Sequence, residues 1–518
     1  MRLKRFEPDQ NSSIQRKLVW FLWCFLLVTI PVTSFPWVAK FTGGSVVSPL
    51  AGLPLVLLVA IWLIPSLLRN DRLSNITSPL LVFVGIALLA TVLAPFHEIY
   101  PFLGQSLLGR SVRALITLGV GIFFYLVASK IPESKDEIRA SFRWLYLGGI
   151  LMLIWSTIQG GYAFQNIAKD YTALHLIPIT IERIHRFFSI RDMFAFRVTG
   201  LAYEPSFLAD QLIVLYLPLW FASVVMKRSV FSSKRSSFSV ELGLSLWGLV
   251  ILFLAQSRIG LISAFGVLGA LGLAGAWQLA GRLASRLYLH PAKPKVLGEI
   301  IVVPKWLRSL IFVGFIALMC MAMIAAMLLA AQLDPRVEEM FEIDFVGAFE
   351  RYDQPLYAIS SRLALAERVM YWTSGFRVFS EYPILGVGLG NSGFLFLKTV
   401  PSFGYRLPEI INIANGSPQF PNTKNLWFRL LAETGIIGFS VFMIWLVLLA
   451  LGAWALMKKG KDLSAVLGLA GLLAILAQVF EGFSLDTFAL PHLWIMLGLI
   501  TAAVSKVSRS IDKAKVKT

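Results

Sequence analysis

The stretch Thr434–Met457, TGIIGFSVFMIWLVLLALGAWALM, contains 24 residues and no charged side chain. At a rise of about 1.5 Å per residue, a helix of this length crosses the roughly 30 Å hydrocarbon core of a bilayer. The whole chain has the same character, because 57% of its 518 residues are hydrophobic and only 15% are charged, against roughly 25% charged in soluble proteins. This composition excludes a soluble enzyme, a secreted disulfide scaffold and a disordered regulator. It predicts a polytopic membrane protein.

Similar apolar runs lie on both sides of this stretch, so we predict an all-α helical bundle of about 12 transmembrane helices. The predicted spans are 18–35, 47–68, 79–95, 112–129, 143–163, 205–226, 240–257, 259–279, 307–331, 434–457, 462–481 and 487–505. The predicted organisation is a cytoplasmic N-terminus (1–17), transmembrane helices 1–5 (18–163), an extracytoplasmic loop (164–204), helices 6–9 (205–331), a large, partly helical extracytoplasmic loop (332–433), helices 10–12 (434–505) and a basic cytoplasmic tail (506–518).

Basic residues are concentrated on one side of the predicted bundle. With the N-terminus inside, the inner side holds 29 of the 47 Lys and Arg residues but only 10 of the 29 Asp and Glu residues. This distribution obeys the positive-inside rule, so the net charge of +18 does not indicate a nucleic-acid partner. Anionic membrane lipids are the expected partners of the basic tail.

The outer side has a different preference, because its basic residues are 14 Arg and only 4 Lys. Insertion topology does not explain a preference for arginine. A guanidinium binds phosphate or carboxylate through two parallel hydrogen bonds, which an ammonium group cannot do. The set therefore indicates an anionic ligand on the outer face, although arginines that reach lipid phosphates at the interface are the alternative for any single residue.

Glu204 lies where the first outer loop meets the sixth predicted span. Pro205 and Ser206 favour the start of a helix, which would place Glu204 at the positive end of the helix dipole. A carboxylate there can accept a proton from a substrate hydroxyl. A plain N-terminal helix cap is the alternative role.

Arg258 follows Gln256 and Ser257 in a very short connection between the seventh and eighth predicted spans. It must lie at or just below the membrane surface, and a guanidinium set deeper costs about 2.5–3.5 kcal/mol on insertion scales. An arginine in this position indicates a functional site. The alternative is a turn residue whose guanidinium reaches the lipid headgroups.

Apolar residues in the large outer loop recur at helical spacing. They are Leu365, Val369, Trp372, Phe376 and Phe379. A helix lying on the membrane explains this stripe. Arg368 flanks the stripe and is compatible with that interpretation, whereas Arg377 lies on the opposite face.

Two more motifs end the large loop. The segment Gly386–Asn391 has G-x-G-x-G spacing, which is not the dinucleotide fingerprint and predicts a tight backbone turn. Lys424 and Arg429 then lie on the outer side near a membrane entry point, and each alone is typical of an interfacial anchor.

Together these segments resemble the bacterial O-antigen polymerase and O-antigen ligase superfamily. Its members end a large external loop with a G-x-G-x-G-N turn and an N-x-x-L-x-x-L-A-E-x-G-x-x-G entry, similar to Gly386–Asn391 and Asn425–Gly438 here. The R-x-x-G-x-x-x-x-P segment from Arg197, the pair Ser257-Arg258 and the placement of Arg368 also match. The resemblance covers about residues 190 to 440, and the number of predicted spans fits the whole chain.

The resemblance implies a GT-C-like glycosyltransferase that uses a glycan carried on polyprenyl (undecaprenyl) diphosphate. It would act on the periplasmic or extracellular side of the bacterial plasma (inner) membrane. The expected diphosphate-binding residues are Arg258 and Arg368, supported by Arg197 and Arg377, and the expected catalytic residues are Glu204, as the base, and Lys424. No cofactor or metal ion is expected, since the polyprenyl diphosphate is the substrate carrier. The expected partners are the lipid-linked oligosaccharide and, among proteins, chain-length regulators or flippases.

Two residues bear on the choice between polymerase and ligase. In ligases a His precedes the Asn of the entry motif and is implicated as the base. Here the residue is Lys424, and a lysine that is charged at neutral pH cannot take a proton. Glu204 and the residues after it also look more like polymerases of repeat units, so we expect a polymerase, with a ligase as the alternative. A transporter of polysaccharide or lipid-linked glycan is the alternative of another class, but the spans are largely apolar and the charge gathers at one face.

Overall fold

The computed structural model describes residues 10–41, 46–69, 73–168, 176–191, 197–231, 239–288, 305–333, 347, 355–363, 365–416, 420–460 and 463–515. Over these ranges the chain is helical and forms no β-strand, which confirms the all-α class. The principal helices are α1 (Gln10–Thr29), α2 (Gly52–Leu68), α3 (Asn75–Phe96), α4 (Leu107–Lys130), α5 (Lys135–Ala168), α6 (Leu176–Phe188), α7 (Pro205–Met226), α8 (Ser239–Ala255), α9 (Arg258–Tyr288), α10 (Lys305–Leu333), α11 (Ala366–Glu381), α12 (Leu426–Lys459), α13 (Leu463–Glu481) and α14 (Pro491–Lys515).

Seven helices in the described part of the chain are long and apolar enough to cross a membrane. They are α3, α4, α5, α7, α9, α12 and α13. The other predicted spans also overlap helices, of which α2 and α8 are apolar but shorter. The structure is therefore that of a helical membrane protein, while the number of about 12 spans and the segment boundaries remain predictions.

The chain divides into two compact units. Unit 1 comprises Met1–Ser263, Ser374–Thr399 and Pro418–Thr518, and unit 2 comprises Ala264–Thr373 and Val400–Ser417. Most of the predicted site residues lie in unit 1.

Aromatic side chains fill the core of unit 1. The ring of Trp445 on α12 lies 5.4 Å from that of Tyr125 on α4 and 5.8 Å from that of Trp494 on α14. The buried Tyr125 hydroxyl shares hydrogen bonds of 3.0 Å with Thr77 and Thr501. These contacts hold α3, α4, α12 and α14 together and leave this hydroxyl satisfied, as a buried polar group requires.

Unit 2 is also held by aromatic contacts. The Arg308 guanidinium of α10 lies 3.9 Å from the centre of the Trp277 ring on α9, a cation–π distance. The two segments of the unit are joined where the ring of Tyr357 stacks on that of Phe403 at 5.2 Å.

The segment Gly386–Asn391, which we call the glycine turn, fits into a break in α12. The break is at Gly435, whose φ of 63° and ψ of −170° are not helical. The amide of Val387 donates to the carbonyl of Ala432 at 3.0 Å, and the amide of Gly388 donates to that of Glu433 at 3.0 Å. The turn thus satisfies carbonyl groups that the interrupted helix leaves unpaired.

The residues just before the glycine turn accept hydrogen bonds from amides on the C-terminal side of the break. The amide of Ile436 donates to the carbonyl of Pro383 at 2.8 Å, and the amide of Ile437 donates to that of Ile384 at 3.4 Å. The two motifs that sequence analysis treated separately are therefore one structural unit. The positive φ values of all three glycines in the turn confirm the predicted tight backbone turn.

The break predicts a large stability cost for Gly435→Ala. A Cβ atom there would lie 2.1 Å from the carbonyl oxygen of Ile384. The left-handed backbone costs about 1–2 kcal/mol for a non-glycine residue, and the steric overlap adds about 1–3 kcal/mol. Gly104→Ala is the matched control, because Gly104 has φ +68° but nothing within 4 Å of an added Cβ. Thermal unfolding in detergent should show a clearly larger loss for Gly435→Ala, and equal losses would contradict the proposed fit.

Candidate functional site

In unit 1, the chain segment that contains Arg197 is hydrogen-bonded to the segment just before Arg258. The Nε of Arg197 donates to the carbonyl of Ala255 at 3.1 Å, and the amide of Val198 donates to that of Leu254 at 3.2 Å. These carbonyls end α8, three residues before Arg258 begins α9. The structure therefore brings the predicted Arg197 segment to the short turn that carries Arg258, whose side chain is exposed.

Glu204 lies at the start of α7, next to the same turn. Gly260 on α9 packs so closely against Ala209 on α7 that an added Cβ would lie 2.7 Å from the Ala209 Cβ. The first turns of α7 and α9 are therefore in contact. Glu204, Arg197 and Arg258 thus lie at the adjoining ends of three helices, and we call this group the α7–α9 site.

The Glu204 carboxylate does not act as a plain helix cap. Its backbone is extended, with φ −145° and ψ 162°, and its side chain makes no capping hydrogen bond to the helix amides. Instead it accepts a hydrogen bond from the Ser206 hydroxyl. Among the described residues the carboxylate forms no ion pair, and only one of its two oxygens is used by this hydrogen bond.

A buried contact between a histidine and an aspartate holds the first turns of α7 in place. His492 Nε2 on α14 lies 2.5 Å from Asp210 Oδ2, and their side chains are only 1% and 5% exposed. Polar pairs inside a membrane protein commonly mark functional regions. This pair lies six residues after Glu204 and just before a π-helical turn at Leu212–Tyr216, another feature frequent near functional sites.

The segments that carry Lys424 and Arg377 pack against each other in a second part of unit 1. A Cβ on Gly375 would lie 2.9 Å from the Thr423 side chain, so α11 packs on the segment that carries Lys424. Arg377 Nη1 donates to the carbonyl of Thr399 at 3.1 Å. Lys424 adopts a φ of 46°, and its amide donates to the Asn422 side chain at 3.2 Å.

Arg368 lies in unit 2, on the first turn of α11. It is half-buried there, three residues before Tyr371. Burial, together with the nearby carboxylates of Glu409 and Glu367, raises the pKa of Tyr371 well above its usual range. The proposed contact of Arg368 with the diphosphate remains a prediction.

Arg429 is not the interfacial anchor that its sequence position suggested. Its side chain is only 13% exposed, and its Nε donates to Glu433 Oε2 at 2.9 Å. Its Nη1 donates to the carbonyl of Asp486 at 2.5 Å, and its guanidinium lies 4.8 Å from the centre of the Phe488 ring. The interpretation was wrong because these partners belong to a distant segment and to the same helix, so the charge is neutralised inside the protein.

The Arg429–Glu433 pair is joined to the glycine turn. The Ser392 hydroxyl donates to Glu433 Oε1 at 3.0 Å, and the Ser111 hydroxyl of α4 donates to Asn391 Oδ1 at 3.2 Å. Burial raises the pKa of the Asp486 carboxyl, against the opposing effect of the positive charge on Arg429. Sequence analysis missed this network.

A chain of contacts joins the α7–α9 site to this network. The Ser263 hydroxyl of α9 donates to Glu481 Oε1 at the end of α13, at 2.8 Å. The next residue, Gly482, accepts a hydrogen bond of 2.7 Å from the amide of Leu426, where α12 begins. Both groups therefore lie at the end of unit 1 that the charge distribution predicts to face outward, which we call the outer end.

The chemistry of the described side chains is that of cations and single carboxylates. In these ranges no group of three His, Cys, Asp or Glu side chains could hold a metal ion. The absence of a metal requirement remains a prediction.

Part of the chain also matches a known protein family. Residues 243–443 match the family model described as O-antigen ligase. This region is less than half of the chain, and it contains Arg258, the glycine turn and Lys424, whereas Arg197 and Glu204 lie outside it. The match confirms the resemblance to the O-antigen polymerase and ligase superfamily and supports a function of that general type. No curated protein matches the chain.

Proposed function

We propose that the protein is an integral-membrane glycosyltransferase that polymerises oligosaccharide repeat units carried on polyprenyl diphosphate. The reaction takes place at the outer face of the plasma membrane. The observation that carries the proposal is the α7–α9 site, where the segments of two arginines and of a carboxylate with no ion pair among the described residues come together at the adjoining ends of three helices.

The arginines act on the leaving group. As the bond between the anomeric carbon and the diphosphate oxygen breaks, the electron pair leaves with the diphosphate and its negative charge grows. Arg258, supported by Arg197 and Arg377, stabilises that charge, and Arg368 in unit 2 has the same proposed role. Cations placed in advance at a site with little water are an effective means of such stabilisation.

Glu204 acts on the acceptor sugar. Its carboxylate takes the proton of the attacking hydroxyl as the hydroxyl oxygen forms the new bond to the anomeric carbon. Attack opposite the departing diphosphate inverts the anomeric centre. The products are a glycan longer by one repeat unit, a protonated Glu204 and a free polyprenyl diphosphate, and the proposal invokes no metal ion.

The second candidate is an O-antigen ligase that transfers the finished glycan to a lipid or protein acceptor. The description of the matching family model favours it. Lys424, at the position of the ligase histidine, favours the polymerase, where it would assist in charge stabilisation rather than act as the base.

The glycan profile of a strain that lacks this protein distinguishes the candidates. A polymerase predicts that single repeat units persist and that long chains disappear. Long polymers that accumulate on the lipid carrier would instead support the ligase, and an unchanged profile would contradict both.

A further inference from the structure

Arg110, in the first turn of α4, is a cation whose charge is not neutralised by a direct bond. Its Nε is fully buried and has no hydrogen-bond partner among the described residues. The guanidinium lies 4.3 Å from the centre of the Phe420 ring. Buried polar groups are normally hydrogen-bonded, and an exception calls for an explanation such as an ion that binds there.

Two carboxylates act on Arg110 over a distance, but neither makes a direct bond to it among the described residues. Two positive charges, on Arg113 and Arg429, and two negative charges, on Glu433 and Asp486, act on Arg110. Both Glu433 oxygens are used, one by the Ser392 hydroxyl and the other by Arg429 Nε. The direct ion pair of Glu433 is therefore with Arg429, and its charge reaches Arg110 only over a distance.

Arg113 adds a second cation one turn along α4. It is exposed, and its Nη1 donates to the neutral side chain of Gln105 at 3.3 Å. Arg110 and Arg113 thus present a pair of guanidinium groups at the outer end, and we call this pair the α4 site.

Aromatic rings cover Arg110, the inner member of the α4 site. The ring of Phe420 lies 6.1 Å from that of Phe102 and 4.8 Å from that of Phe394. The backbone of Arg110 is fixed by the glycine turn, because a Cβ on Gly390 would lie 2.9 Å from the Arg110 carbonyl oxygen. A half-buried, fixed cation such as Arg110 binds an anion more strongly than the same cation in water, and the exposed Arg113 adds a second charge beside it.

We propose that Arg110 and Arg113 form a second diphosphate-binding site, which holds the acceptor when the α7–α9 site holds the donor. This inference rests on the proposed function. In the polymerisation of lipid-linked repeat units, both reactants carry a polyprenyl diphosphate, so two diphosphates must be bound at once. A ligase acceptor without a diphosphate would require only one.

Binding of undecaprenyl diphosphate without a glycan tests this inference independently of turnover. The full-length protein is titrated in detergent, and native mass spectrometry counts the molecules bound to each monomer. We expect two for the wild type and one for the double variant Arg110→Gln/Arg113→Gln. The double variant Arg197→Gln/Arg258→Gln should also bind one, and Arg186→Gln, which changes an exposed arginine paired with Glu182, should bind two.

The outcomes separate the two proposals. If the wild type binds one molecule, or if Arg110→Gln/Arg113→Gln still binds two, the α4 site is wrong. Two molecules bound to Arg197→Gln/Arg258→Gln would contradict the α7–α9 site of the proposed function and leave the α4 site intact. Excess phosphatidylglycerol distinguishes a diphosphate site from an ordinary anionic-lipid site, and displacement from the α4 site by that lipid would overturn the inference.

The single variant Arg113→Gln covers the case in which the loss of Arg110 unfolds the protein. Arg113 is exposed and bonds only to Gln105 among the described residues, so its replacement should not disturb the fold. Loss of one hydrogen bond to a charged group should weaken binding of the second molecule by roughly tenfold or more. An unchanged affinity would count against the α4 site.

Discussion

Replacement of Arg258 by alanine is expected to lower the rate of glycan transfer by about 100- to 10,000-fold. If Arg258 binds the diphosphate as proposed, the variant removes about two hydrogen bonds to the charged leaving group, each worth about 1.5–3 kcal/mol. Because the charge on the diphosphate grows as the bond breaks, the loss should fall on kcat as well as on KM. The measurement is the initial rate of chain growth by purified protein in lipid nanodiscs.

Arg186→Ala is the matched control for this experiment. Arg186 is also on the predicted outer side, but its side chain is 80% exposed and its partner Glu182 is 65% exposed, and surface pairs of this kind contribute little. Arg368→Ala tests the proposed diphosphate residue of unit 2 in the same assay. Near-normal glycan ladders from both Arg258→Ala and Arg368→Ala, with normal insertion, would remove the diphosphate assignment.

Glu204→Gln should lower turnover by a similar factor, since general base catalysis contributes roughly 100- to 10,000-fold. Glutamine keeps the shape of the side chain and can still accept the Ser206 hydrogen bond, but it cannot take a proton. We therefore expect kcat to fall while binding of the polyprenyl diphosphate is retained. Rates from reconstituted protein and binding from native mass spectrometry measure the two effects separately.

Glu182→Gln is the control for the charge change alone, because Glu182 is exposed and pairs only with Arg186 in the described part of the chain. It should leave the rate unchanged. Wild-type turnover in Glu204→Gln would reject Glu204 as the base, and a loss of diphosphate binding in that variant would indicate a structural role instead.

Local features of this chain were predictable from its sequence. The apolar runs predicted the helices, and Pro205 predicted where α7 begins. The glycine spacing predicted the turn at Gly386–Asn391, because positive φ values are accessible mainly to glycine. Each of these inferences depends on residues that are close together in the sequence.

The contacts that build the site were not predictable in this way. Ser111 and Asn391 are 280 positions apart, and Arg429 and Asp486 are 57 apart. Only the folded chain shows that Glu433 forms its direct ion pair with Arg429 and not with Arg110. The one available signal was the excess of arginine over lysine on the outer side, which included Arg110 but did not distinguish it from the other arginines.

The central claim is that a glycan is transferred from a lipid diphosphate held at the outer end of the helical bundle. Purified protein in vesicles, supplied with lipid-linked repeat units, tests it most directly when glycan length and free polyprenyl diphosphate are measured together. The account predicts that one polyprenyl diphosphate is released for each repeat unit added. Movement of the glycan lipid across the membrane, without elongation and without release of the diphosphate, would contradict the account and indicate a transporter.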